Sequence, residues 1–317
     1  MTAIGLAFRG FGNVLRSPGL VLWLWIVNVA VALPAAAVLT ESIRDSVGTS
    51  LVHQNLRDGF DMGWYGEYSA EAKGIESTFT PTVTGAGAFF NNIEAWFNGD
   101  IFETYRGLLG LGILYAVLWS FFVGGILQRY GEGAGLFRLN EFIAEGASYF
   151  FRFLRLALIS GAFYYLVYCF AAWLFERMET SMRDVTSEES VFAYVLAGSL
   201  FVVFLLTFVN MAFDYAKIAT HRENRRSMVL ATLRGFGFVL SNLGRTTTLY
   251  YGLGLAGVLM LLVYNVIAPG VGQSSASGVA MAFVIGQAYL IAKLVLRLTF
   301  YAGEIALFDR ASVKISW

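Results

Sequence analysis

Several things are scarce in this chain of 317 residues, and each scarcity removes a class of function. Cysteine occurs once, at Cys169, so no intramolecular disulfide and no Cys-rich metal site is available. Histidine occurs twice, at His53 and His221, and these two are expected on opposite sides of a membrane, where they cannot share a metal. No pair of histidines lies within an apolar run to hold a haem. Charged residues make up only 14%, against about 25% in an ordinary soluble domain, which argues against a soluble enzyme. The 22 Lys+Arg balance the 22 Asp+Glu, so the basic surface that a nucleic-acid binder needs is missing. No His-Glu-x-x-His, no Gly-x-Ser-x-Gly and no pair of aspartates within one apolar run occurs. Gly131-Glu-Gly-Ala-Gly135 lacks the Gly-Lys-Ser/Thr of a phosphate loop and reads as a connector. The expectation is a protein that is not an enzyme, with no catalytic, cofactor-binding or metal residues and no cofactor.

What is abundant is apolar side chain: 57% of the residues are apolar and 16% of all residues are aromatic, with a mean hydropathy of +0.63. A membrane-crossing helix needs about 20 mostly apolar residues. Six such runs stand out, at 19–40, 107–128, 156–175, 191–213, 246–268 and 279–303. The fold class expected is therefore an all-α polytopic membrane protein with six transmembrane helices. Trp23, Trp25, Trp173, Tyr250 and Tyr251 lie near the ends of runs, where amphipathic rings favour the headgroup level. Residues 1–18 have no small-residue cleavage site and read as part of the protein, not as a signal peptide. Basic residues number 14 in the segments on one side of the runs and 6 on the other. The richer side belongs in the cytoplasm, with both termini there.

A repeat organises the runs. Arg9-Gly-Phe-Gly-Asn-Val-Leu15 recurs as Arg234-Gly-Phe-Gly-Phe-Val-Leu240. Ile4, Phe8, Phe11 and Leu15 match Val229, Leu233, Phe236 and Leu240 in spacing, and Ile143, Ala147, Phe150 and Leu154 form a third set. Each set makes one helical stripe just before an apolar run. The chain reads as a single membrane domain, 1–317, of three parallel repeats, each led by a cytoplasmic interfacial amphipathic helix. Repeat one covers 1–128 with an outside insertion at 41–106, repeat two 140–213, and repeat three 226–308. Small residues at Gly107, Gly110, Gly112, Gly124, Gly125, Ala193, Ala197, Gly252, Gly254 and Gly257 are expected to let helices approach closely.

The insertion 41–106 carries ten acids and four bases. Within it, Trp64, Tyr65 and Tyr68 sit among glycines, and Phe90, Ile93, Phe97 and Ile101 have the spacing of an amphipathic helix. This segment either caps the bundle or, through Trp64, Tyr65, Tyr68, Phe90, Trp96 and Phe97, docks a partner.

Charges inside spans are the default place to look for function in a membrane protein. Lys293, Arg297 and Glu304 stand at i, i+4 and i+11 of the last run, on one helical face, and Asp214 and Lys217 lie at the inner end of the fourth. These five form the candidate intramembrane charged cluster; the plainer reading, and the favoured one, is snorkelling plus ion pairing between helices. Asn28, Asn210 and Gln287 are uncharged polar groups suited to interhelical hydrogen bonds. Arg222, Arg225 and Arg226 are candidate contacts for anionic lipid headgroups.

Trp64-Tyr-Gly-Glu67, Thr78-Phe-Thr-Pro81, Gly124-Gly-Ile-Leu127, Tyr149-Phe-Phe-Arg-Phe-Leu-Arg155 and Asp214-Tyr-Ala-Lys217 followed by Arg226-Ser together resemble an uncharacterised bacterial family of six-span inner-membrane proteins. More loosely, the chain is similar to the membrane domain fused to some glycerophosphodiester phosphodiesterases, without the phosphodiesterase domain itself. The resemblance implies a bacterial inner (cytoplasmic) membrane and carries no activity with it.

The function expected from these features is a non-catalytic integral membrane subunit or scaffold of a larger inner-membrane assembly. Its partners would be membrane lipids and other membrane proteins docking on the outside loop or the lateral faces, with no nucleic acid. The alternative is a transporter or channel for a small anion or lipid that uses the charged face of the last span.

Overall fold

The computed structural model describes residues 2–48, 61–72, 76, 79, 106–132, 137–183, 187–268 and 275–312, with the side chains of 106–109 excepted. Among these residues all regular structure is helical. The helices are α1 (Ala3–Leu15), α2 (Pro18–Val47), α3 (Met62–Glu71), α4 (Arg106–Gly131), α5 (Leu139–Met182), α6 (Glu188–Arg222), α7 (Met228–Ser241), α8 (Leu243–Ile267) and α9 (Ala276–Ser312). Six of them, α2, α4, α5, α6, α8 and α9, are long and apolar enough to cross a membrane. The chain is a multi-pass membrane protein, all-helical among the described residues.

Helix boundaries follow local chemistry. α2 starts with proline at its first position, where the missing N–H has no intrahelical acceptor to lose. Ser187 and Ser227 cap α6 and α7 by accepting from the backbone N–H of Ser190 and Leu230, and Asp61 caps α3 by accepting from Gly63 and Trp64. α6 ends where Asn224 adopts φ 46°, a conformation asparagine tolerates. α7 ends at Asn242, whose side chain donates back to the Phe238 carbonyl.

Repeat two departs from the sequence expectation of a separate leading helix. Residues 139–182 form one continuous helix of 44 residues. The junction Arg155-Leu156 carries no proline, glycine or asparagine, and arginine and leucine are good helix formers, so nothing stops propagation. Pro18 and Asn242 supply the corresponding breaks after α1 and α7.

The described chain divides into two compact units. The first contains residues 1–13, 117–251 and 299–317. Its short helices turn their repeated apolar stripe outward: Ile4, Phe8, Phe11 and Leu15 of α1 are exposed, as are Val229, Leu233 and Leu240 of α7. The buried faces lie elsewhere. Leu6, Gly10 and Val14 are buried in α1, and Ala231, Gly235 and Val239 hold the same places in α7. In α5 the buried face is Phe142, Gly146, Tyr149 and Phe153. Phe236, matched to the outward stripe by sequence, is half-buried among Phe163, Phe208 and Phe213.

Glycines set the closest approaches in this unit. A Cβ at Gly235 would fall 2.3 Å from the Ala212 carbonyl oxygen of α6, and one at Gly10 would fall 2.9 Å from the Gly303 nitrogen of α9. On α4 and α5, a Cβ at Gly124 would meet the Glu145 carbonyl at 2.8 Å, and one at Gly146 the Phe121 carbonyl at the same distance. Of the other glycines singled out by sequence, Gly110, Gly112, Gly252 and Gly254 face open space, while Gly257 faces the Leu296 side chain. A small residue marks a close contact only when its own helical face is the packed one.

The second unit contains residues 14–116 and 252–298. Within it the Trp25 indole donates to the Gln287 side-chain oxygen at 2.8 Å, and Asn28 donates to the Leu24 carbonyl of its own helix. Tyr264 and Tyr289 stack at 4.1 Å. α3 packs on α2 through Trp64, which donates to Ser46, and Tyr68, whose hydroxyl meets that of Ser42. Replacing Gln287 with leucine is expected to lower stability by about 0.6 kcal/mol, the typical worth of an interhelical side-chain hydrogen bond in a membrane protein. Thermal unfolding in detergent, compared with wild type, measures it.

Candidate functional site

The fourth spanning helix, α6, places Asn210, Asp214 and Lys217 at i, i+4 and i+7, on one face. All three lie in the first unit, and neighbouring helices supply partners for each. Asn210 accepts from the Tyr164 hydroxyl of α5 at 3.0 Å. Its amide donates to the Tyr250 hydroxyl of α8 at 2.7 Å and, at 3.4 Å, to Asp214. Asp214 accepts from the Lys217 ammonium at 2.7 Å, and both side chains are largely buried. The ammonium also stands 6.0 Å from the ring centroid of Tyr301 on α9, whose hydroxyl accepts from the Trp119 indole of α4 at 3.2 Å. Five helices thus converge on one polar network.

Glu304 belongs to the same neighbourhood. It is 1% exposed, and neither carboxylate oxygen has a hydrogen-bond partner. The charges acting on it are those of Asp214 and Lys217. The buried Tyr215 hydroxyl, which feels Glu304 and Asp214, is likewise unbonded. A second carboxyl group, three residues on from Tyr301 on the same helix, therefore lies within the electrostatic reach of the Asp214–Lys217 pair, in a setting removed from water, where an unpaired charge is strongly disfavoured.

Of the five residues in the expected charged cluster, the structure brings Asp214, Lys217 and Glu304 together in the first unit and assigns Lys293 and Arg297 to the second. Arg297 donates to the Tyr115 hydroxyl at 3.0 Å, and the Lys293 ammonium lies 5.6 Å from the centroid of the Tyr289 ring. The counter-ion beside Asp214 is Lys217.

The basic cluster is divided in the same way. Arg222 forms a salt bridge with Asp309 and donates to the Gly131 carbonyl at 2.9 Å. Arg225 pairs with Glu223. Arg226 is exposed. His221, next to Arg222, lies 3.6 Å from the Glu145 carboxylate and 4.9 Å from the Tyr149 ring centroid.

Among the expected docking residues, Trp64 and Tyr68 are buried at 6% and 5% exposure, stacked on each other at 5.4 Å and bonded to α2. Their bulk completes the seat of α3 instead of forming an exposed face. Tyr65 is half-buried; Phe90, Trp96 and Phe97 lie outside the described residues. Beside α3 is an open cavity of about 600 Å³ lined by Asp45, Glu67, Glu71, Glu76, Ser42 and Ser46 among others.

Sequence reasoning missed Tyr164, Tyr250, Tyr301 and Trp119, because an aromatic residue in a span is ordinarily packing or interfacial anchoring. The i, i+4 spacing of Asn210 and Asp214 is the one signal that would have pointed to the network. No family model, no curated protein and no solved structure matches the chain.

Proposed function

We propose that this chain is a membrane transport protein for a small cation, with the Asn210–Asp214–Lys217 network and Glu304 as its binding site. The observation that carries this reading is a largely buried Asp214–Lys217 pair with a second, fully buried and unbonded carboxyl group, Glu304, within its electrostatic reach. Intramembrane ionisable residues that converge from several helices mark ion pathways. The sign of the imbalance favours a cation over the anion expected from Lys293 and Arg297, which have aromatic neighbours of their own in the second unit.

The reading includes the three parallel repeats, with both termini on the cytoplasmic face of a bacterial inner membrane. Two sets of contacts support the repeats. Arg222 joins Gly131 and Asp309, residues 91 and 87 positions away. The same two steps relate Ile126, Lys217 and Glu304, and likewise Val123, Asp214 and Tyr301. The returning helices α4, α6 and α9 would then contribute equivalent positions to one centre, with the ionisable groups on α6 and α9. The leading segments follow a cyclic order: Gly10 rests on α9, Gly146 on α4 and Gly235 on α6. Each is seated on the returning helix of the preceding repeat. The outward apolar stripes of α1 and α7 suit helices lying in the interface of the inner leaflet.

The test is flux. In proteoliposomes under a valinomycin-clamped potassium potential, with an entrapped proton- or sodium-sensitive dye, wild-type protein is expected to pass one of these ions at least tenfold faster than protein-free vesicles. Asp214→Asn should return the rate to background. Passage of neither ion overturns the cation reading and leaves the non-catalytic scaffold or subunit as the proposal, to be pursued through the composition of the particle extracted from native membrane in mild detergent.

A further inference from the structure

Both carboxylate oxygens of Glu304, and the hydroxyl of Tyr215 that feels its charge, are among the unsatisfied buried atoms of the first unit. Asp214 has an ammonium at 2.7 Å; Glu304 has neither an ion pair within bonding distance nor a hydrogen bond. The titratable and charged groups bearing on it are Asp214, Lys217 and Tyr215 of α6 and Tyr250 of α8. Tyr164 of α5 and Tyr301 of α9 complete the network. With the ammonium engaged by Asp214, one negative charge would remain in surroundings where an ionised carboxylate without a partner is not sustainable.

A metal ion and a proton are the two ways of supplying the missing charge. Hard cations are held by several oxygen ligands at once, and among the described residues no group of three or more His, Cys, Asp or Glu is arranged to hold a metal. A proton needs a single oxygen. It also removes the demand for hydrogen-bond acceptance by both carboxylate oxygens, leaving a neutral acid that an apolar pocket accepts at far lower cost.

We infer that the ion handled by this site is a proton, and that Glu304 is the residue that carries it. Glu304 gives its proton from one carboxyl oxygen to a water molecule entering the site, forming carboxylate and hydronium, and takes it back by the reverse step. While Glu304 is ionised, Lys217 is the cation that both carboxylates face. Asp214 remains ionised throughout, positioned by Lys217 and Asn210. This inference rests on the reading of the network as the functional centre and goes further by naming the ion and the carrier.

Infrared spectroscopy of the purified chain in lipid nanodiscs reads the carrier directly. Wild type at neutral pH should show the carbonyl stretch of a protonated carboxylic acid without strong hydrogen bonding, well above the amide band and shifted in heavy water. Glu304→Gln should delete that band. Raising the pH on wild-type protein should bleach the band, an arm that needs no variant to fold. Absence of the band, or its persistence in Glu304→Gln, overturns the inference. So does a band that disappears when sodium chloride replaces choline chloride, which would show a metal cation in the place of the proton. The spectrum involves no transport: a protonated Glu304 in a protein that moves no ion retires the transport reading alone, and ion flux without the band retires this inference alone.

Discussion

Gly235→Ala is expected to destabilise the protein by about 3 kcal/mol, the upper end of ordinary overpacking, and to lower its yield in detergent. The added methyl carbon would stand 2.3 Å from the Ala212 carbonyl oxygen, 2.8 Å from the Ala216 nitrogen and 2.9 Å from the Ala216 Cβ. Two of those atoms are backbone, so no rotamer change relieves the clash and α7 must lift from α6. Lifting it loosens Phe238, which sits between Tyr215 and Phe308 at ring separations of 4.7 and 4.8 Å. Gly237, two residues on, is a control of opposite sign. A Cβ there meets nothing within 4 Å, and alanine in an open helical position is favoured over glycine by about 0.5–1 kcal/mol. Melting temperatures of both variants in one detergent should therefore move in opposite directions. A fall of equal size in both would mean that helix propensity and packing had been assigned wrongly here.

Removing one partner of the Asp214–Lys217 pair should cost about 3 kcal/mol, because it leaves the other charge buried without its counter-ion. Asp214→Leu strands the ammonium beside Glu304 and also removes an acceptor of the Asn210 amide, which keeps Tyr250. Adding Lys217→Met should recover most of the loss, since replacing both members of a buried pair with apolar groups is often neutral or stabilising. The double variant should fold and still be inactive in transport. If the two single losses simply add, the pair is not the interaction that matters at this position.

The physical reach of sequence reasoning differs between fold and site. Six spans were legible because each needs about 20 consecutive apolar residues, a signal that survives without any knowledge of packing. The separateness of α1 and α7 was legible through Pro18 and the recurrence of Arg-Gly-Phe-Gly, whereas the fusion of repeat two's leader into α5 depends on the absence of a stop at Arg155-Leu156. The stripes were legible as stripes, and in α1 and α7 most of their residues are exposed. In a membrane protein, lipid accepts an apolar surface as readily as another helix does, so hydrophobicity alone does not tell the packed side from the exposed one. Gly10 and Gly235, set beside that stripe, are what mark the packed side.

Grouping Lys293 and Arg297 with Glu304 rested on their sharing one helical face. Eleven residues of helix nevertheless rise about 16 Å, which separates their surroundings even where their direction agrees. Asp214 and Lys217, three residues apart, need only about 4.5 Å of rise, and they do pair. The partners contributed by Tyr164, Tyr250 and Tyr301 come from three other helices and depend on tertiary packing that no local pattern records.

The most direct measurement of the central claim is the proton uptake rate of one set of proteoliposomes containing wild type, Glu304→Gln or Asp214→Asn, each first shown to retain the wild-type melting profile or most of it. The account predicts rapid uptake by wild type under an inside-negative potential and rates at the protein-free level for both variants. Equal rates in all three samples would contradict it, and would make the buried network a structural device of the fold.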